Sequence, residues 1–360
     1  MIVSNTPPHS PPVEGIVDNA WIQPLRDKWN SAPLLHLPRH KDGAMILDAL
    51  IRHPTTIPPY DRLLDHQDLY HGEAPTMEHI VGDLINIDDE DLNVVDQAFG
   101  HITESHKEQV LVSMWNASYA SSENPNVKLF TIPDLPFHPK GSGKCGIQLA
   151  TKFLDLAITD TDNVNGSWSS TFCPPGAITD LHWDYHGGSQ VLMGISTNKL
   201  WLLWPPTEKN LSWWSKHNLR PTTSSATLEA IHHLEGLTLL YQRGRQSFLM
   251  PPYHIHAVLT FEVSAHSGTT VWDYNSWKDT ARRLTEWESS WALDYFKNGH
   301  TRSDGVQALQ YLLHAMTRWD KLHKKLIKKR SLSKADLVEF GHWVKLHLKK
   351  VQQNLSAMEH

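Results

Sequence analysis

Cysteine is nearly absent: Cys145 and Cys173 are too few for a disulfide framework or a zinc knuckle. That scarcity points to a reducing, intracellular compartment, nuclear or cytoplasmic. Long apolar runs are missing too, since nothing approaches the roughly 18 uninterrupted apolar residues of a membrane span. Met1–Pro12 is polar and proline-rich without an apolar h-region, so no secretory signal is expected. Positive charge is not in excess, and a formal net charge of −6 argues against whole-chain attraction to nucleic acid. With 40% hydrophobic and 20% charged residues, the 360-residue chain reads as an ordinary globular protein with one large core or two modest ones.

Two residue types are abundant instead, with 15 Trp and 24 His. Scattered histidines are usually solvated or structural, so only spacing can select functional ones. Texture changes along the chain. Residues 1–20 read as a disordered lead-in and 21–125 as a helical region broken by Pro54, Pro58 and Pro59. Its clearest helix spans roughly Glu104 to Asn116, and Asp88–Asp91 forms an acidic turn without the spacing of a calcium loop. A Pro/Gly-rich connector, Pro133 to Gly146, leads into short aromatic and β-branched runs. Ser189–Ser196, Lys199–Trp204, Leu237–Gln242, Ser247–Met250, Ile255–Val263 and Thr269–Tyr274 read as strands, with turns at Asn198 and Arg243–Arg245 and a stop at Pro205–Pro206. Such spacing predicts an all-β barrel or jelly roll over 126–279. Helical periodicity returns in 280–360, where Val306, Leu309, Leu312, Leu313, Met316, Trp319, Leu322 and Leu326 share a stripe. Ser333 with Asp336 opens a final helix.

Within the β region, His182-Trp183-Asp184 sets two ligand types at i and i+2, which share one face of a strand. A second strand brings His254 and His256, either of which could be the third ligand. Two imidazoles and one carboxylate make the facial triad of non-haem Fe(II), with open positions for co-substrates. Lys199 offers a cation for an organic acid buried in the barrel, and Thr179 a hydroxyl near the metal strand. No Arg or Lys follows His256 until Lys278, which favours Lys199 as the anion partner.

Taken together, Gly176-x-x-Thr179-x-x-His182-x-Asp184, Lys199…Trp204-Pro205-Pro206 and Pro251-Pro252-x-x-x-His256-x-Val258 resemble the JmjC hydroxylase and demethylase family over about Asp134 to Tyr274. The resemblance implies a mainly β protein with flanking helices and a double-stranded β-helix (jelly roll, cupin-like) core. It implies Fe(II), 2-oxoglutarate and O2 as well. In that family the distal histidine lies five residues after the first proline of the turn, which selects His256. Carried over, His182, Asp184 and His256 are metal ligands and catalytic residues, and Thr179 and Lys199 bind the co-substrate. One departure is Gly188, where some members carry a side-chain amide; Gln190 is a candidate substitute.

The activity implied is oxygenation of a protein side chain with release of succinate and CO2. Histone-lysine demethylation and a catalytically silent, purely binding relative are the alternatives, and a cupin enzyme without 2-oxoglutarate would not need Lys199. No zinc cluster of the PHD kind accompanies the barrel motifs. Lys321–Arg330 forms a basic helical stretch that reads as a solvated face in preference to a nucleic-acid contact. The C-terminal apolar stripe is expected to pack on the barrel or on a second copy, as in family members that dimerise through C-terminal helices.

Overall fold

The computed structural model describes residues 20–31, 38–53, 70–71, 76–86, 91–119, 128–137, 148–149, 155–159, 168–184, 187–217, 224–277, 280, 283 and 302–359. The lead-in up to residue 19, Asp88–Glu90 of the acidic turn and residues 138–146 of the connector lie outside this set. Ten of the strands follow the chain as β2 (Asp91–Asp96), β3 (Ile102–His106), β4 (Phe130–Phe137), β6 (Ala157–Thr159), β7 (Trp168–Cys173), β8 (Ile178–His182), β9 (Ser189–Trp204), β10 (Thr238–Gly244), β11 (Ser247–Met250) and β12 (Ile255–Thr260). With β13 (Ser264–Asp273) they make one sheet of 11 strands, whose main path runs β3-β2-β4-β7-β13-β9-β12-β8. A separate pair, β1 (Tyr70–His71) and β5 (Gln148–Leu149), stands apart. Every described pairing is antiparallel. The sheet curls into a half-barrel flanked by helices, a shape compatible with a jelly roll.

The curl depends on β9. Its first half pairs with β11 and β13, its second half with β10 and β12, so one strand serves both parts of the sheet. β9 is buried along nearly its whole length, and it carries two apolar runs, Val191–Ile195 and Leu200–Trp204, in place of a strict alternation. The corner needs room at Gly194. A Cβ there would stand 2.6 Å from the Gln246 carbonyl oxygen and 2.8 Å from that of Gly244. Asn198 is therefore not the tight turn that the sequence suggests. It lies inside β9, where Tyr241 donates to its side-chain oxygen.

Other expectations shift in the same way. The strand expected over Ile255–Val263 ends at Thr260, and β13 begins at Ser264 instead of Thr269. The N-terminal region is not wholly helical, since β2 and β3 extend the main sheet through β4. The helix expected from Glu104 runs from Lys107 to Tyr119, because Glu104 and its neighbours pair with β2. The ends of β9 at Trp204 and of β11 at Met250 fall where the sequence places them.

Among the described residues eight helices flank the sheet: α1 (Gln23–Asn30), α2 (Pro38–Arg52), α3 (Met77–Asn86), α4 (Lys107–Tyr119), α5 (Glu208–His217), α6 (Ser224–His233), α7 (Arg302–Lys329) and α8 (Lys334–Glu359). The pair α5 and α6, inserted between β9 and β10, has no clear periodic signature in the sequence. The last two helices form a hairpin. Leu309, Leu312, Met316, Trp319, Leu322 and Leu326 of α7 are buried, as the three-to-four spacing predicts. Ser333 caps α8, its Oγ accepting from the Asp336 amide at 3.2 Å.

One polar strut ties the N-terminal helices to the sheet. Arg39 of α2 donates to Asp180 of β8, to the Ile178 carbonyl and to Gln97, whose amide nitrogen continues to Thr131 of β4. The ionic pair is nearly dry, with 6% and 11% of the two side chains exposed. Removing one member of such a pair leaves the other charge buried without compensation. Arg39→Met is therefore expected to lower the unfolding free energy by about 3–5 kcal/mol, seen as a lower urea midpoint at unchanged slope. A loss below about 1 kcal/mol would show that the strut carries no structural weight.

Candidate metal centre and anion pocket

His182 is the last residue of β8 and pairs directly with His256 of β12. Cross-strand partners leave the sheet on the same face, and the two imidazole centroids stand 4.0 Å apart. Two residues beyond the strand, Asp184 brings a carboxylate oxygen to 3.9 Å from His182 Nε2. Donor atoms of His182, Asp184 and His256 all lie within 4.8 Å of one another. Each imidazole is oriented by its own backbone neighbourhood. Nδ1 of His182 meets the Asp180 carbonyl at 2.8 Å, and Nδ1 of His256 meets that of His254 at 2.9 Å. A carbonyl only accepts, so each Nδ1 carries the proton and each Nε2 keeps a lone pair for a metal. Burial, reinforced by His182, holds His256 well below its ordinary pKa and so keeps it neutral.

His254 is placed differently. Strand alternation would put it on the face of His256, but β12 begins only at Ile255 and Tyr253 sits at φ 60°. Its Nδ1 lies 3.2 Å from the Pro251 carbonyl, and burial holds its pKa down at about 4. The donor cluster among the described residues includes His256 and not His254.

A bulge in β8 brings Thr179 to the same face. His182 pairs with His256 and Thr179 with Val258, so two residues of β8, Asp180 and Leu181, oppose Ala257 alone. Regular alternation would send residues three apart to opposite faces; the extra residue cancels that. Leu181 turns outward into the main core, as does Trp183, which packs against Trp214 and Tyr253.

Lys199 lies deeper on the concave face, only 1% exposed. Its Nζ is 2.9 Å from Nδ1 of His266 and 3.2 Å from Sγ of Cys173. Among the described residues no carboxylate lies within ion-pair distance of it. His266 was not singled out in the sequence. It sits on β13 beside an irregularity at Ala265 and His266, and no local pattern announces the register that aims it at Lys199. Burial, then Lys199, keeps the His266 imidazole well below its ordinary pKa. Trp201 forms the wall between His256 and His266, its ring 6.0 and 5.7 Å from theirs, and donates to Gln242 at 3.0 Å. Of the three tryptophans near the motifs, Trp201 lines the site; Trp183 and Trp204 belong to the core behind it.

Gly188 has a physical reason. A Cβ there would stand 2.3 Å from the Thr270 methyl, so an amide side chain does not fit. Gln190 accepts from Thr270 Oγ1 at 3.2 Å, which puts an amide next to this position from the neighbouring strand residue. His217, His232 and His233 are exposed, and His217 stacks on Trp213.

No family model matches the chain. Over 84 residues it is 34% identical to the JmjC domain-containing histone demethylation protein 1 of Saccharomyces cerevisiae. The likeness to a JmjC protein is partial. It covers 23% of this chain and 17% of that relative, so the chain spans less than a fifth of the length of the curated relative it matches. No helix is long and apolar enough to cross a membrane among the described residues.

Two imidazoles and a carboxylate on one side of a point suit a divalent transition metal with open positions opposite. Titration with Fe(II) under anaerobic conditions, or with Mn(II), is expected to raise the melting temperature. The gain should reach about 2.7 kcal/mol at a hundredfold excess over Kd. Asp184→Ala or His256→Ala should remove the shift, and chelation should reverse it. His254→Ala should keep it; loss there and not at His256 would relocate the third ligand.

Proposed function

We propose that the chain is an Fe(II)- and 2-oxoglutarate-dependent oxygenase of the JmjC type that hydroxylates a protein side chain, releasing succinate and CO2. One observation carries the reading. A three-donor cluster and a buried lysine amine without a counter-carboxylate among the described residues sit on one concave face, joined by β12, which bears His256 and pairs with the Lys199 segment of β9. A buried ammonium costs several kcal/mol unless an anion meets it, and 2-oxoglutarate carries such a group at its far end. In this reading the core is a double-stranded β-helix.

Each residue then has a role. His182, Asp184 and His256 would hold Fe(II), a three-residue set that leaves coordination positions for co-substrates. When bound, Fe(II) with O2 supplies the oxidising power. Lys199 and Thr179 hold the distal carboxylate and so orient the 2-oxoacid. Trp201 and the packed strands behind it keep water from the site. Such a protein would work in the nucleus or cytoplasm on a protein or peptide.

Lysine demethylation is a second reading, favoured by the name of the yeast relative. Its chemistry is the same C–H hydroxylation, applied to an N-methyl carbon that then departs as formaldehyde. The basic helical stretch does not argue for nucleic acid. Lys324 pairs with Asp320, Lys329 faces Asp155 at 3.5 Å, and Lys325 donates to the Ala157 carbonyl. A homodimer through α7 and α8 is a further part of this proposal.

Succinate release that requires both Fe(II) and 2-oxoglutarate is the expected result, with no succinate from a silent binding relative. Mass spectrometry of candidate peptides separates the two substrate readings: a gain of one oxygen marks hydroxylation, and loss of a methyl group marks demethylation. Lys199→Ala should raise the KM for 2-oxoglutarate at least about 30-fold, the lower end expected on unpairing a buried carboxylate. Unchanged KM would point to a cupin enzyme that does not use this co-substrate.

A further inference from the structure

Directly across the sheet from Lys199 stands Thr260, the last residue of β12. Its side chain is fully buried, and its hydroxyl has no hydrogen-bond partner among the described residues. The backbone here is fixed on both sides. The Thr260 amide donates to the Ala177 carbonyl at 3.0 Å, and its carbonyl accepts from the Gly176 amide at 2.8 Å. Cross-strand pairing sends Thr260 and Lys199 off the same face. An orphan hydroxyl in a dry interior costs about 1–3 kcal/mol, and a fold does not keep one beside a cation without cause.

Two other buried threonine hydroxyls among the described residues lack partners, and neither competes for this role. Thr227 lies on α6, away from the sheet. Thr269 leaves β13 on the face opposite to His266, by alternation over a regular stretch. Thr260 alone of the three faces a charge.

The neighbours of Lys199 complete the case. An ammonium has three hydrogens. One goes to His266 Nδ1 and one to Cys173 Sγ, which leaves one hydrogen uncommitted. Thr179, paired with Val258 two residues along β12, offers its hydroxyl from the same face.

We infer that Thr260 is a specificity residue for the co-substrate: its hydroxyl donates to the distal carboxylate held by Lys199, while His266 and Cys173 position the ammonium. This rests on the oxygenase reading given above. It makes the pocket selective for a 2-oxoacid with a second carboxylate over a 2-oxo monocarboxylate.

The test uses the full chain loaded with Mn(II), a redox-silent stand-in, and measures binding of 2-oxoglutarate and of pyruvate by calorimetry. Thr260→Val preserves shape and removes only an unpaired hydroxyl, so its melting temperature should equal or exceed that of the wild type. Its Kd for 2-oxoglutarate should rise at least about 10-fold, as expected for a lost hydrogen bond to a charged group. Its Kd for pyruvate should stay within about twofold, and Thr260→Ser should restore 2-oxoglutarate binding. Equal affinity of Thr260→Val and wild type for 2-oxoglutarate overturns the inference, as does a parallel loss for pyruvate, which would mean a general disturbance of the site. Should the wild type with Mn(II) bind no 2-oxoglutarate at all, the oxygenase reading itself fails first.

Discussion

A single extra residue in β8 decides what the concave face can hold. Without the bulge at Asp180 and Leu181, Thr179 and His182 would leave the strand in opposite directions, and β8 could contribute to one end of the pocket only. With it, the strand presents a metal-type donor and a hydroxyl side by side, three residues apart. Within the same stretch the Asp180 carbonyl accepts from His182 and fixes that ring's tautomer. Local disruption of the ladder is thus not a defect but the means by which chemistry from one strand is focused on one volume.

Around that strand the groups are graded from wet to dry. His182 and Asp184 are about one-third exposed, His256 is buried, and Lys199 lies deepest. The donor cluster is therefore open to solvent on one side, and the Lys199 amine is not. Electrostatic attraction strengthens as water is lost, so the deep end of the pocket acts with more force than a surface lysine could. The neutral state of His266 is part of this gradient, because a second buried cation beside Lys199 would oppose it.

Much of this was legible in the chain itself, and the gaps have physical causes. Short-range features survive translation into structure: His182 and Asp184, two residues apart, do converge, and the capping pair Ser333 and Asp336 opens α8. The α7 stripe is buried as its spacing demands. What failed depends on pairing between distant segments. Asn198 has the composition of a turn, yet β10 and β12 hold it within β9 on both sides of the corner. His254 and His256 look equivalent until the turn at Tyr253 breaks the alternation between them. His266 and Thr260 carry no motif at all. Their meaning comes from register across the sheet, which one-dimensional reading cannot see.

The Arg39 strut also bears on where the protein can be divided. Composition alone invites a cut near residue 125, separating a helical leader from a β core. Such a cut would take away the guanidinium that neutralises Asp180, in the very bulge that shapes the pocket. It would also remove Gln97, which accepts from the Ile178 amide next to it. The isolated β portion would inherit a dry carboxylate and two unsatisfied backbone groups under its own ligand strand. The amino-terminal half thus supplies the polar partners that β8 needs where it carries His182.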